Sequence, residues 1–165
     1  MQDAPKVLMV CLGNICRSPT AEAVLRHRAA LANCPLQVDS AGTLGFHKGA
    51  APDKRAQQAG VARGYDFSGI HARQVVASDF SDFDLILAAD HTNLQDLKAL
   101  CPPEYQHKLQ LMLSFSDRAE QEVPDPYYGS DDGFEQVLDM LEAACDGLIK
   151  QLSKNKKCDY TNLGN

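Results

Sequence analysis

The sequence predicts an α/β fold built on a parallel sheet. Strand-like apolar runs alternate along the chain with stretches of helical periodicity. The first run, Val7-Leu8-Met9-Val10, is apolar without alternation, as in a strand covered on both faces. A strand, a helix and a second strand follow with short connections, the layout of a right-handed crossover. The 165 residues suit one domain with a substantial core.

Each element has a local reason. Residues 6–10 form the first strand. A helix over 19–32 has Ala21, Val24, Leu25 and Leu31 on its apolar side and Arg26, His27 and Arg28 facing outward; Cys34-Pro35 ends it. Residues 36–41 alternate, and Gly42 stops this second strand. Residues 43–52 are a loop punctuated by Gly45, Gly49 and Pro52, with Phe46 as its aromatic. Asp53 caps a short helix to about residue 62. A break over 64–69 leads to Ile70-His71-Ala72-Arg73-Gln74-Val75. Residues 84–89 form a third strand ending at Asp90, 91–100 a helix closed by Cys101-Pro102-Pro103, and 108–112 a fourth strand. After a polar, proline-punctuated loop over 114–129, a last helix from 130 or 131 to 152 places Phe134, Val137, Leu138, Leu141, Cys145, Leu148 and Ile149 at helical spacing. The domain is thus expected over 1–152. A mobile tail is expected over 153–165, which carries three lysines and no periodicity. Ligands of such sheets bind beyond the carboxyl ends of the strands. That rim receives the loop after the first strand, Ser40, Asp90 and the 114–129 loop.

Composition narrows the function. With 44% hydrophobic and 23% charged residues, the chain is of ordinary globular type. No apolar run nears the roughly 20 residues that span a bilayer, and the N-terminus lacks a signal layout. A cytoplasmic protein with no membrane partner is expected. A net charge of −6 speaks against nucleic acid, which calls for a basic face. The six cysteines are irregularly spaced and read as thiols in a reducing compartment. No metal site is expected, because no second cysteine pair or suitably placed histidines accompany Cys11 and Cys16.

The chemistry concentrates in Val10-Cys11-Leu12-Gly13-Asn14-Ile15-Cys16-Arg17-Ser18-Pro19. A strand runs into a short loop and then into a helix opening, a pocket for a tetrahedral anion. Gly13 and Asn14 tolerate the backbone conformations such a loop needs. Cys11 lies at the pocket's base, where a helix N-terminus and a cation favour the thiolate. Arg17 offers a rigid fork of donors that matches phosphate oxygens. Ser18 caps the helix or donates to the thiolate. A thiolate attacking a phosphate also needs a proton for the leaving oxygen. The candidate is Asp125, stiffened by prolines on both sides in Val123-Pro124-Asp125-Pro126-Tyr127-Tyr128-Gly129.

These two motifs resemble those of the low-molecular-weight protein tyrosine phosphatases. The likeness reaches to about residue 152 and takes in Ser40-Ala41-Gly42, Pro52-Asp53 and His71-Ala72-Arg73-Gln74. The resemblance implies a single domain with a four-stranded parallel sheet and helices on both faces. It implies cofactor-free hydrolysis of phosphotyrosine in protein substrates through a phosphocysteine on Cys11. Asp125 is then general acid and later general base, and Arg17 the phosphate and transition-state ligand. It also implies that Asn14, Ser18, Ser40 and His71 hold the loop in shape, and that phosphate or other oxyanions inhibit. The anion is held by the loop over 12–18, Cys16 included. Leu12, Ile15, Phe46, Tyr127 and Tyr128 are expected to wall an apolar slot for a phenyl ring.

Alternatives remain open at this point. A phosphoarginine-phosphatase branch looks similar but tends to carry threonine where Ile15 stands. Arsenate reductases share the fold but need further redox cysteines on a mobile segment after the third strand; Cys101 is only one there, before two prolines. A docking module with lost chemistry has no use for Cys11, Arg17 and Asp125 together. Cys16 is a candidate redox guard, capturing an oxidised Cys11 as a disulfide.

Overall fold

The computed structural model describes residues 4–127 and 132–154. Tyr128 and residues 155–165 of the expected tail lie outside the described residues. Ser153 and Lys154 belong to the last helix rather than to a tail.

Four strands form one parallel sheet: β1 (Lys6–Cys11), β2 (Gln37–Gly42), β3 (Leu85–Ala88) and β4 (Leu109–Leu111). Their order is β2-β1-β3-β4. Among the described residues five α-helices accompany them: α1 (Arg17–Leu31), α2 (Lys54–Ala62), α3 (Asp79–Asp82), α4 (His91–Leu100) and α5 (Asp132–Lys154). Two 3-10 segments, Pro103–Lys108 and Met112–Phe115, flank β4.

The unbroken apolar run of β1 is explained by its place in the middle of the sheet. Val7, Met9 and Cys11 point into the core shared with α1 and α5, while Leu8 and Val10 point into a second core with Phe80, Leu97 and Leu109. Helices therefore cover both faces, as expected. Chain direction across the sheet switches between β1 and β3, so a crevice opens beyond the carboxyl ends of these two strands.

Three local expectations hold closely. Asp53 caps α2 by accepting from the backbone N–H groups of Arg55 and Ala56. Helix α4 spans the expected residues, with Asp90 as N-cap accepting from the Asn93 N–H at 2.8 Å. Helix α5 buries all seven apolar residues named for it. Helix α1 departs from expectation. It starts at Arg17, and every residue from Arg17 to Leu25 is buried, because this half runs between the loop after β1, strand β2 and α5. Leu31, expected on its apolar side, is 59% exposed. Arg28, expected to face outward, pairs with Asp146 of α5 instead. Helix α3 was not anticipated. It is held by Asp79, a buried carboxylate that accepts from the Val76 N–H and from Arg73.

Gly42 ends β2 for a steric reason. A Cβ there would stand 2.7 Å from the Leu12 carbonyl and 3.1 Å from the Asn14 nitrogen. Only glycine lets β2 press against the loop that follows β1.

Candidate active site

The loop between β1 and α1 rests on a buried chain of hydrogen bonds. Asn14 adopts φ +57°, a left-handed conformation that asparagine tolerates. This turns its side chain inward, where Nδ2 donates to Ser18 Oγ at 2.7 Å and to Ser40 Oγ at 3.0 Å. Its Oδ1 accepts from the Arg73 backbone N–H at 3.0 Å. Ser40 Oγ donates to Glu22 Oε1 at 2.6 Å, and Arg26 pairs with the other oxygen of Glu22. Both Asn14 amide protons are thus used on the two serines. Ser18, already an acceptor from Asn14, keeps its own proton free to donate. The nearest acceptor is Cys11 Sγ at 3.0 Å; the Ala41 carbonyl is farther, at 3.5 Å. The Ser18 backbone N–H, in the first turn of α1, also donates to Sγ at 3.4 Å. Two donors and a helix N-terminus therefore converge on one sulfur, which is how a protein stabilises a thiolate.

Arg17 is 3% exposed. Its Nη1 donates to Asp90 Oδ2 at 2.7 Å and to the Val123 carbonyl at 3.0 Å, and its Nη2 lies 3.7 Å from Asp125 Oδ2. One nitrogen is thus anchored to the end of β3 and to the acid's own segment, and the other faces the acid. Val123 is fully buried, and its N–H donates to the Ala89 carbonyl beside β3. Two residues on, Asp125 stands partly exposed, its Oδ1 accepting from the Tyr127 N–H at 3.0 Å.

These groups border a cleft of about 430 Å³ at the β1–β3 crevice. Cys11, Gly13, Cys16 and Arg17 form its base, with Asp125 on one side. Leu12, Ile15 and Tyr127 supply apolar wall. Phe46 also borders the cleft, but at 84% exposure it is a lip rather than a wall. Tyr128 lies outside the described residues. Leu44 and His47 line the cleft too, and neither was anticipated from sequence.

Of the residues expected to hold the loop, the structure brings Asn14, Ser18 and Ser40 together. His71 is corrected: it is exposed, and the contact that closes onto Asn14 from its segment is made two residues later, by the Arg73 N–H. Arg73 and Gln74 run beside the Gly42 end of β2, where the Arg73 carbonyl accepts from the Gly42 N–H, so the main chain does what a side chain was expected to do. Glu22 and Arg55 are further contributors that the sequence motifs did not single out, and Asp90 was placed at the rim without a role. Asp90 carried a signal, an acid directly after a central strand. Glu22 and Arg55 carried none, since both act through contacts between distant segments.

Burial, with the nearby Asp53 and Asp125 carboxylates, pushes the Cys16 thiol up to about 12. Burial alone would raise the Asp53 carboxyl, but donors from Arg55 and the backbone of Arg55 and Ala56 outweigh it and hold the group below its usual range. No group of three or more His, Cys, Asp or Glu residues suited to a metal ion occurs among the described residues.

The relatives of this chain are named as low molecular weight phosphotyrosine phosphatases. The family model "Low molecular weight phosphotyrosine protein phosphatase" matches residues 6–158. A low molecular weight protein-tyrosine-phosphatase from Streptomyces coelicolor is 43% identical, the match covering 87% of this chain and 91% of that one. The low molecular weight phosphotyrosine protein phosphatase of Homo sapiens is 39% identical, with 91% and 97% covered. A protein tyrosine phosphatase from Entamoeba histolytica, solved with Hepes in its active site, superposes with a TM-score of 0.89 at 44% identity, covering 93% of this chain and 99% of that one. The chain belongs to the low molecular weight phosphotyrosine protein phosphatase family.

Proposed function

We propose that this protein hydrolyses phosphotyrosine in protein substrates through a phosphocysteine on Cys11. The observation that carries this is the convergence of Ser18 Oγ and the Ser18 N–H on Cys11 Sγ, in a cleft that also holds Arg17 and Asp125. A phosphoryl group over Sγ meets the Arg17 guanidinium, already fixed through Nη1 by Asp90 and Val123. A fixed fork loses little freedom when it takes up the equatorial oxygens. The sulfur lone pair forms the S–P bond while the P–O bond to the aryl group breaks. Asp125, in its acid form, gives its proton to that departing oxygen. In the second step Asp125 takes a proton from water, the water oxygen bonds to phosphorus, and the S–P bond breaks. The electron pair returns to Sγ, where the two Ser18 donors receive the thiolate. Inorganic phosphate leaves, and it competes with substrate as an inhibitor.

The apolar side made by Leu12, Ile15 and Tyr127 supports an aryl ester over phosphoarginine, whose guanidinium such a wall does not solvate. Against thiol-dependent arsenate reduction, Cys101 is buried in the core on the far face of the sheet, with Leu8 and Leu97. A cytoplasmic location fits a chemistry that requires a reduced thiol.

The test is hydrolysis of an aryl phosphate and of phosphoarginine by the wild type, Cys11→Ser and Asp125→Ala. The expected results are no turnover for Cys11→Ser, a loss of about 100- to 10,000-fold for Asp125→Ala, and preference for the aryl ester. Full activity in Cys11→Ser contradicts the mechanism.

A further inference from the structure

Arg55 stands outside the nucleophile and acid motifs, yet it joins them. It lies in the first turn of α2, and its Nη2 donates to the Tyr127 carbonyl at 2.8 Å, across 72 residues of sequence. The same guanidinium binds the Asp53 carboxylate, with Nε to Oδ1 at 3.3 Å and Nη2 to Oδ2 at 3.2 Å. Its plane lies over the Phe134 ring at 4.9 Å and the Tyr127 ring at 5.8 Å. Asp53 in turn donates its backbone N–H to the Ile15 carbonyl, inside the anion loop, at 2.8 Å. A continuous line of contacts therefore runs from Ile15 through Asp53 and Arg55 to Tyr127, and from the Tyr127 N–H to the Asp125 carboxylate at 3.0 Å.

The acid's segment needs such a hold. On its N-terminal side Val123 is pinned by Ala89 and Arg17. Beyond Asp125, Pro126 is buried against Gly133, where an added Cβ would stand 3.3 Å from the Pro126 Cβ, but proline has no N–H to donate. The next backbone groups are those of Tyr127. Its N–H serves the Asp125 carboxylate and its carbonyl takes Arg55. Asp125 thus lies between two anchors, and the second reaches back to the loop that carries the nucleophile.

We propose that Arg55 is a positioning residue for the general acid, setting the distance from the Asp125 carboxylate to the leaving oxygen over Cys11. The inference rests on the phosphatase reading above. It adds that the strut acts on proton donation rather than on phosphate binding. A displacement of about 1 Å at a reacting group can cost on the order of 100-fold in rate. That cost falls only where the proton is needed. An aryl phosphate with a very acidic phenol departs without protonation, and one with an ordinary phenol does not.

The experiment measures kcat/KM, which covers every step through phosphocysteine formation, for phenyl phosphate and 2,4-dinitrophenyl phosphate. It compares the wild type, Arg55→Ala, Arg55→Lys, Asp125→Asn and the double variant Arg55→Ala/Asp125→Asn. Arg55→Ala is expected to lose about 10- to 100-fold on phenyl phosphate and less than about threefold on the dinitrophenyl ester. Arg55→Lys should recover part of the loss, since one ammonium can reach Tyr127 or Asp53 but cannot fork between them. In the Asp125→Asn background, Arg55→Ala should add less than about threefold, because the step it serves is already gone. Inhibition by inorganic phosphate should be unchanged in Arg55→Ala. Equal losses on both esters, additive losses with Asp125→Asn, or weakened phosphate inhibition overturn the proposal. If Arg55→Ala does not fold, Arg55→Lys decides by the same leaving-group comparison. A wild type inactive on both esters overturns the phosphatase reading, and this inference with it; a wild type active on both with no leaving-group effect in the variants overturns this inference alone.

Discussion

Ser18→Ala removes a single hydroxyl whose proton has one near acceptor. Asn14 donates to Ser18 Oγ at 2.7 Å, so the hydroxyl proton is directed at Cys11 Sγ, 3.0 Å away. The bond matters most when the sulfur carries full charge, which in the proposed cycle is when the phosphocysteine breaks down and the thiolate departs. A hydrogen bond to a charged group contributes about 1.5–3 kcal/mol. At about 1.4 kcal/mol per factor of ten, kcat should fall by roughly 10- to 150-fold. The Ser18 backbone N–H at 3.4 Å remains, so activity is not abolished. The loss should appear in kcat more than in kcat/KM. Stopped-flow release of p-nitrophenolate is the assay. The variant should show a burst equal to the enzyme concentration and then slow turnover. A kcat within about twofold of wild type, without a burst, would refute the assignment of the Ser18 proton to the sulfur.

Three further outcomes follow from packing and charge. Gly147→Ala forces a methyl to within 1.8 Å of the Phe115 carbonyl, so α5 and the 112–115 segment must part; a loss of at least about 3 kcal/mol is expected, lowering Tm by roughly 6–12 °C, which calorimetry will show. Burial holds the Cys16 and Cys145 thiols protonated above their ordinary value of 9.0, with Cys16 up to about 12. The unfolded chain therefore binds fewer protons than the folded one above pH 9.0, and stability is full below that value and falls as pH rises toward about 12. The slope is up to about 1.4 kcal/mol per pH unit for each thiol. Urea unfolding of wild type and Cys16→Ala between these limits should show a shallower decline in the variant. Peroxide should convert Cys11 to a sulfenic acid that Cys16 captures as a disulfide, reversibly with dithiothreitol, and faster at higher pH because Cys16 must first lose its proton. Mass spectrometry that finds Cys11 taken directly to sulfonic acid contradicts this.

The parts of the molecule that were legible in sequence are those whose signal is local. Asp53 caps α2 as expected, because an aspartate before a helical stretch satisfies the first N–H groups wherever the helix lies; Asp90 does the same for α4, a cap not named from sequence. The continuous apolar run of β1 reported its burial on two faces. Cys11, Arg17 and Asp125 were picked out in sequence because thiolate attack on a phosphate restricts which residue types can serve, and the structure brings all three to one cleft. Leu31 was misplaced because α1 is buried all round in its first half, so no apolar stripe exists to extrapolate. Asn14, Ser18 and Ser40 were named through the family resemblance, but Glu22, which extends their chain, could not be read, since its contact depends on β2 pressing against α1. His71 failed for a related reason: the contact to Asn14 is a backbone N–H, which carries no residue signature. Arg55 joins segments 72 residues apart, and its partner at Tyr127 is again a main-chain carbonyl.

In the proposed mechanism Cys11 carries the phosphoryl group. Rapid acid quench of the protein with a phosphotyrosyl peptide, followed by peptide mass spectrometry, tests it directly. A phosphorylated peptide spanning the anion loop is expected, with the phosphate on Cys11 and none in Cys11→Ser. A phosphate on another residue, or product formed by Cys11→Ser at the wild-type rate, would contradict it.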